Sequence, residues 1–336
     1  MRRLSVVIAN YNYEAYVAVA IESALALRWD DIEVVVVDDG STDGSRRVIE
    51  GYGNRVKSLF TENAGQRVAA SRGFALTTGD VVIFLDSDDV LPPGLPDLVA
   101  EVWTPRVSKV QFQMQRIDAA GVPFGLPFPQ FATTPAPAQI RRWAAKTTAY
   151  PTPPGSGNAY ARWFLEQILP LDSSLGDFFD SAPLAAAPFF GDVVSLPGVL
   201  VGYRYHGAND SNLLAQVDRF PREVARARAR WRFAQRAIGA PIDERPLRRS
   251  RELLQLRVAA RRVAPSVAAL PGDFFARLLI DCLRSPFQIG PESIGHRLRV
   301  VVWCIAALCT PMGVVRWLLT VRYGRPLAAN SSGTAS

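Results

Sequence analysis

The stretch that most constrains this chain is "IEVVVVDDGSTDGS", residues 32–45. Four consecutive valines offer no polar face. A short apolar run bounded by turn residues reads as a strand buried on both sides. It stops on Asp38 and Asp39. Three other runs end the same way: "LSVVIA" before Asn10, Tyr11 and Asn12, "VKSLFT" before Glu62 and Asn63, and "DVVIFLD" before Ser87, Asp88 and Asp89. Helical spacing fills the gaps. "EAYVAVAIESALAL" is the first helix, "GSRRVIEGY" the second with Asp43 or Ser45 as cap, and "GQRVAASRGFALTTG" the third, stopped by Gly79. Strand–helix alternation predicts βαβ units and an α/β fold with a mixed, mostly parallel sheet.

Ligands of open parallel sheets bind beyond the carboxyl ends of the strands. Four separate segments deliver polar groups to that edge, so the valines place the aspartates where a ligand sits. Asp, Asn, Gly and Ser also serve as ordinary turn residues. "FLDSDD" is the sharper signal. Three carboxylates in four residues repel one another unless a cation is present, and hard oxygen ligands suit Mg²⁺ or Mn²⁺. A metal held by few carboxylates usually also holds substrate phosphates, which points to a nucleotide diphosphate. No GxGxxG follows the first strand and no GxxxxGK[ST] occurs, so neither the dinucleotide nor the P-loop fingerprint is present.

"LSVVIANYNYEAYVAVAIESAL", "IEVVVVDDGSTDGS" and "NAGQRVAASRGFALTTGDVVIFLDSDDVLPP" together resemble family 2 glycosyltransferases of the GT-A fold. The resemblance is strong over residues 4–95 and extends, more weakly, to about residue 212. It implies a Rossmann-like GT-A sheet and an inverting, metal-dependent transfer of a sugar from a nucleotide-sugar donor, a UDP-sugar favoured. The acceptor would be a sugar or a lipid-linked sugar, in cell-surface polysaccharide or glycolipid synthesis. By position, Ala9 and Tyr11 line the nucleotide pocket and Asp39 bonds the base. Asn63, Gln66 and Arg67 meet the nucleotide and sugar, and Asp86, Ser87 and Asp88 form the DxD element. Asp86, Asp88 and His206 are the metal candidates. Many members carry Ala-Arg-Asn after "NAG"; here Ala69, Ala70 and Ser71 stand there, and Arg67 or Arg72 would replace the arginine. The catalytic base is expected in "LDSSLGDFFDSAPLAAAPFFG", where Asp172, Asp177 and Asp180 are available. Family spacing selects Asp180, with Asp177 as the alternative. Asp180 could instead cap a helix, whose dipole would keep the carboxylate ionised. Rival readings are a sugar-nucleotidyltransferase, for which the glycine-rich basic loop is missing from "VIANYNYEAY", and a non-catalytic nucleotide-sugar-binding protein.

Residues 1–125 are read as the nucleotide-sugar-binding half of the domain and 126–216 as the acceptor-binding half. "GVPFGLPFPQFATTPAPAQ" reads as a long loop or lid. Residues 217–336 form a basic helical region. They carry 21 arginines and 8 acids, against 17 basic and 23 acidic side chains in residues 1–216. Such asymmetry suits an anionic partner, and without nucleic-acid motifs a membrane surface is favoured over nucleic acid. The apolar stretch Val300–Val315 has 16 residues with Pro311 and Gly313 inside, short of the about 20 that a span needs. An interfacial helix pair with Trp303 and Trp317 at headgroup level is expected, with packing on the domain or a true span as alternatives. The three cysteines, Cys282, Cys304 and Cys309, form no CxxC pair. They and the short first apolar run suggest a cytoplasmic protein, peripheral on the inner membrane face.

Overall fold

Val34–Val37 do form the interior of a strand, and none is more than 3% exposed. The computed structural model describes residues 3–131, 133–171, 175, 179–206 and 219–323. Two units make up the chain. One comprises Met1–Gly207 and Arg228–Pro246, the other Ala208–Ala227 and Leu247–Ser336.

The first unit is built on one mixed sheet. Its strands are β1 (Leu4–Asn10), β2 (Ile32–Asp38), β3 (Lys57–Phe60), β4 (Val81–Asp86), β5 (Val107–Ile117), β6 (Pro123–Phe128), β7 (Asn158–Ala161) and β8 (Asp192–Arg204). They run in the order β3-β2-β1-β4-β7-β5-β6, with β8 also paired to β5. The first four are mutually parallel, β5 pairs β8 in parallel, and β7 and β6 run antiparallel to their neighbours. Helices α1 (Glu14–Leu25), α2 (Ser45–Glu50), α3 (Gln66–Ala75), α4 (Leu95–Val102), α5 (Pro137–Thr147), α6 (Arg162–Ile168) and α7 (Ser181–Phe190) cover both faces. The period-2 alternation of β1 sorts the core. Val6 and Ile8 pack with Val17, Ile21 and Val99 on one face. Val7 packs with Phe74, Ile140, Phe164 and Ala186 on the other. This is the expected fold class.

Two local expectations fail for physical reasons. First, α3 stops at Ala75, four residues before Gly79. Gly79 serves packing instead of termination. A Cβ there would lie 2.8 Å from the Ser5 amide nitrogen and 2.9 Å from the Arg3 carbonyl oxygen. Its N–H donates to Ser5 Oγ at 2.9 Å and to Glu33 Oε1 at 3.0 Å. Burial alone would raise the pKa of Glu33, but hydrogen bonds from Lys57, Thr78 and Ser5 outweigh it and pull it down to about 2. Second, the supposed long loop contains a strand. β6 folds back on β5 as a hairpin, and α5 begins at Pro137, where a proline fits the first turn. Proline content had hidden a strand that sits beside a register shift at Met114/Arg116. At the far side of β5, β8 is interrupted around Pro197 and Gly198, the latter at φ +81°, and its Gly202 exchanges backbone hydrogen bonds with Val90.

After α8 (Arg219–Ala237) and α9 (Arg245–Arg249), the second unit stacks α10 (Arg251–Val263), α11 (Phe275–Arg284), α12 (Ile294–Cys309) and α13 (Met312–Tyr323). Leu254, Val258, Leu278, Cys282, Val300, Cys304 and Leu308 form its core. Inside it, the fully buried Arg257 donates to Asp273 and Asp281. The apolar stretch Val300–Val315 is split at Thr310–Pro311 into two helices. Among the described residues no helix is long and apolar enough to cross a membrane. Trp303 is partly buried and its Nε1 donates to the Leu318 carbonyl. Trp317 is 62% exposed.

Because backbone atoms bound the space at Gly79, Gly79→Ala should cost about 1–3 kcal/mol. Urea unfolding of the variant checks this, and an unchanged midpoint would show that the β1 edge yields.

Candidate active site

The chain passes through β1, β2 and β3 to one side, then returns to lay β4 on the other side of β1. The crevice between the carboxyl ends of β1 and β4 is therefore the topological switch point, where α/β sheets bind ligands. Register places Ala9 beside Asp86, and Asn10 beside Asp38.

The first two loops are laced together. Asp38 accepts from Asn10 Nδ2 (3.2 Å) and the Ser41 amide (2.8 Å). Asn12, at φ +58°, accepts from the Thr42 amide at 2.7 Å. Asp38 is thus a brace. Asp39 is nearly buried and accepts from the Ala64 amide at 3.0 Å and the Gly65 amide at 2.7 Å. It ties the third loop to the second. Gly40 permits that approach: it sits at φ +77°, and a Cβ there would lie 2.7 Å from the Asn63 nitrogen. Tyr11 is 46% exposed and Asn63 is exposed. Arg67 Nη1 donates to the Leu171 carbonyl at 2.8 Å, which anchors α3 to that segment.

The carboxylates converge at the end of β4. Asp86 accepts from Gln66 Nε2 at 2.9 Å, and its own amide donates to Ser156 Oγ at 3.0 Å. Burial, then the charges of Asp88 and Asp180, push its pKa up to about 8 against the pull of Gln66. Ser87 is buried. Asp88 Oδ2 lies 3.0 Å from His206 Nε2. The His206 ring stacks on Tyr16 with centroids 5.2 Å apart and meets Tyr13 edge-on. Asp89 Oδ1 accepts from the Arg204 amide at 2.9 Å, while its buried Oδ2 has no hydrogen-bond partner among the described residues. Burial, Asp86 and Asp88 raise the pKa of Asp89 well above the usual range.

Asp180 joins this group from α7. It occupies the N-cap position but makes no side-chain cap hydrogen bond. Its Oδ2 instead accepts from the Gly155 amide at 3.3 Å. The helix-dipole expectation is reversed in sign: burial raises the Asp180 pKa, opposed by the Gly155 amide and Arg230. Asp177 and Asp172 lie outside the described residues.

Sequence reasoning assigned no role to two contributors. Arg204 is 4% exposed. It donates to the carbonyls of Asp88, Asp118 and Ala119 and so fastens β8 to the DSDD turn. "PTPPGSG" reads in the sequence as a breaker cluster, yet its Gly155 and Ser156 touch both Asp180 and Asp86. A glycine and a serine after two prolines carry no chemical signature that would have revealed this.

A divalent cation fits the donor chemistry here. Asp88 and His206 offer an oxygen and a nitrogen 3.0 Å apart, beside the mutually repelling Asp86 and Asp89. Asp86 Oδ1 is engaged by Gln66. Among the described residues no group of three or more His, Cys, Asp or Glu side chains stands ready to hold a metal. Phosphate oxygens and water would complete the shell, as is usual for Mg²⁺.

A parallel sheet with acidic strand ends at its switch point, extended by the antiparallel β7, defines a GT-A type fold. The model of the family described as "Glycosyl transferase family 2" matches residues 5–169, about half of this chain, so that the chain is similar to that family over most of its sheet. An uncharacterized glycosyltransferase of Nostoc sp. is 38% identical over 218 residues, 62% of this chain and 66% of that one. The putative glycosyltransferase EpsH of Bacillus subtilis is 36% identical over 93 residues, 27% of each chain. This chain therefore spans just under two thirds of the first relative and about a quarter of the second. Among solved structures, S. aureus TarS 1-349 in complex with UDP-GlcNAc has a TM-score of 0.56 at 17% identity, over 97% of this chain and 93% of that one. The mannosyltransferase PcManGT from Pyrobaculum calidifontis, in complex with GDP-Man and Mn²⁺, has a TM-score of 0.50 at 17% identity, over 95% and 79%. These two likenesses are of fold.

The Asp86 pKa is raised in the folded state. Its contribution to stability is therefore full below the unfolded value near pH 4 and is lost as pH climbs through about 8. In a chelator, Asp86→Asn should gain on the wild type steadily between about pH 4 and 8, reaching at least about 3 °C in Tm at the upper end. A gap that stays flat with pH would overturn this account of Asp86.

Proposed function

We propose that the chain is an inverting, metal-dependent glycosyltransferase. It would move a hexosyl group from a nucleotide diphosphate sugar, a UDP-sugar favoured, to a hydroxyl of a sugar or lipid-linked acceptor. The family match over residues 5–169 supports the class, and one observation carries the mechanism. Asp180 and Asp86 meet on the same short segment, the former on the Gly155 amide and the latter's amide on Ser156 Oγ. A donor-side carboxylate and a second, separate carboxylate thus face one cleft.

The first three loops, with Ala9, Tyr11, Asp39, Asn63, Gln66 and Arg67, form the nucleotide side. Asp86 and Ser87 hold the donor from the end of β4. Asp88 and His206 would hold Mg²⁺ or Mn²⁺, which when bound neutralises charge on the departing diphosphate. Asp180 takes the proton from the acceptor hydroxyl as its oxygen attacks the anomeric carbon from the face opposite the diphosphate. A buried carboxylate with a raised pKa is a stronger base than an exposed one, which suits that role. The departing diphosphate is the product that must leave.

The basic second unit is read as a peripheral anchor on an anionic membrane surface. Ile294, Leu298 and Val302 form an exposed stripe at i, i+4 and i+8 on α12, and Val314, Trp317 and Val321 one on α13. Arg299 and Arg316 stand exposed beside them, with no ion pair among the described residues. Apolar stripes flanked by arginine suit the headgroup region of anionic lipid. Cell-surface glycan synthesis on the inner face would be the natural setting for such an anchor.

Nucleoside diphosphate release from UDP-, GDP- and TDP-sugars with Mn²⁺ tests the activity. Asp180→Asn should cut transfer at least about a hundredfold while nucleotide binding is kept, and Asp88→Ala should abolish it. A wild type that releases no diphosphate from any donor, with or without acceptor, would leave a binding protein. A dead Asp177→Asn beside an active Asp180→Asn would move the base.

In flotation with vesicles containing phosphatidylglycerol at low salt, the full chain should rise with the lipid. Leu298→Glu combined with Trp317→Glu should leave it at the bottom. A wild type that ignores anionic vesicles, or a pair of charges that changes nothing, would remove the anchor.

A further inference from the structure

We propose that Lys109 is a positioning residue, fixing from inside the fold the segment 151–158 that sets Asp180 against Asp86. The inference rests on the reading of Asp180 as base only for its kinetic consequence.

Lys109 lies on β5, is fully buried, and touches neither carboxylate in any hydrogen bond. Burial lowers its pKa. A lysine held in such a place needs a reason, because every unpaired N–H there is costly. Its Nζ donates to Gln111 Oε1 at 2.9 Å, Thr152 Oγ1 at 2.8 Å and Asn158 Oδ1 at 3.0 Å, which are three acceptors for the three N–H of an ammonium. It also lies 4.9 Å from the centre of the Tyr150 ring. All three acceptors work on the same segment. Gln111 Nε2 donates to the Pro151 carbonyl at 2.9 Å. Thr152 belongs to the segment itself. Asn158 Nδ2 is directed at the carbonyls of Pro153, Pro154 and Gly155 at 3.2, 3.0 and 3.1 Å. One buried amine therefore orients the amide side chains that grip nearly every residue from Pro151 to Gly155.

The outer surface of that segment is the wall between the two carboxylates. The Gly155 amide donates to Asp180. A Cβ on Gly155 would lie 3.0 Å from Asp86 Oδ2, so only a residue without a side chain leaves that carboxylate its room. Ser156 Oγ accepts from the Asp86 amide. Gly155 is the spacer, and Lys109 decides where the spacer sits. The oxygen atoms that receive the acceptor proton and hold the donor are separated by a wall that a single interior nitrogen keeps in place.

Lys109→Met removes the three N–H and keeps a chain of similar length. Hydrogen exchange followed by mass spectrometry should show the Gly155–Asn158 amides exchanging at least about tenfold faster, with β1 and β2 unchanged. Turnover should fall about a hundredfold, the scale of an ångström of misplacement. The Kd for the nucleoside diphosphate should stay within about twofold. Thr152→Val should share the faster exchange and slower turnover in milder form, and Thr152→Ser should restore both. This pair carries the test if Lys109→Met does not fold. Unchanged exchange in folded Lys109→Met, or Thr152→Val indistinguishable from Thr152→Ser, would overturn the proposal. So would turnover and nucleotide binding lost in parallel. A wild type without transferase activity would refute the function while the exchange measurement still decides the role of Lys109.

Discussion

Mutual repulsion among Asp86, Asp88, Asp89 and Asp180 is the constraint around which the first unit is arranged. Four carboxylates in one poorly solvated cleft oppose the folded state unless each is held, protonated or matched with a cation. The surrounding side chains answer that demand one by one. Gln66 reaches back from α3 to Asp86, His206 meets Asp88, the Arg204 amide takes Asp89, and the Gly155 amide takes Asp180. These partners come from α3, from the end of β8 and from the segment before β7. The cleft is thus the place where α3, β8, α7 and the segment before β7 are tied to the end of β4. Local stability has been exchanged for charge density at the one edge where a phosphate-bearing ligand would meet it.

How much of this was legible in the sequence depends on the range of each interaction. The four parallel strands and the polar clusters at their ends came directly from apolar runs and the turn residues behind them, because burial on both faces leaves no other reading of "VVVV". Gly79 was misjudged because a glycine after a helix looks like a stop, whereas its reason lies across the sheet at Ser5 and Arg3. β6 was hidden because its prolines argue locally against a strand, and only the partner β5 permits it. Asp180 was reached through family spacing. Its raised pKa was not, since burial by residues distant in sequence outweighs the helix end that the sequence displays. Nothing near Lys109 in sequence announces that it serves Thr152 and Asn158.

The second unit solves a different problem. Its core is small, and it admits Arg257 among Asp273 and Asp281 with no exposure of the guanidinium. Burial depresses that group, but the two carboxylates more than restore its charge. A triad of this kind adds little net stability over apolar packing, yet losing one member leaves a charge stranded. It fixes how α10 and α11 meet, which in turn presents one side of α12 inward and leaves the other apolar stripe outward.

The interruptions of the sheet have a consequence for the company this chain keeps. At one margin β3 offers only four residues and begins with an exposed lysine. At the other, the Pro197–Gly198 kink breaks the hydrogen-bonding rhythm of β8, and Val90 already occupies its outer side at Gly202. Neither β3 nor β8 is a ready template on which a foreign strand could zip, which leaves β6 as the remaining edge of the sheet. Self-association of the first unit through β3 or β8 would therefore be written in side chains and helices.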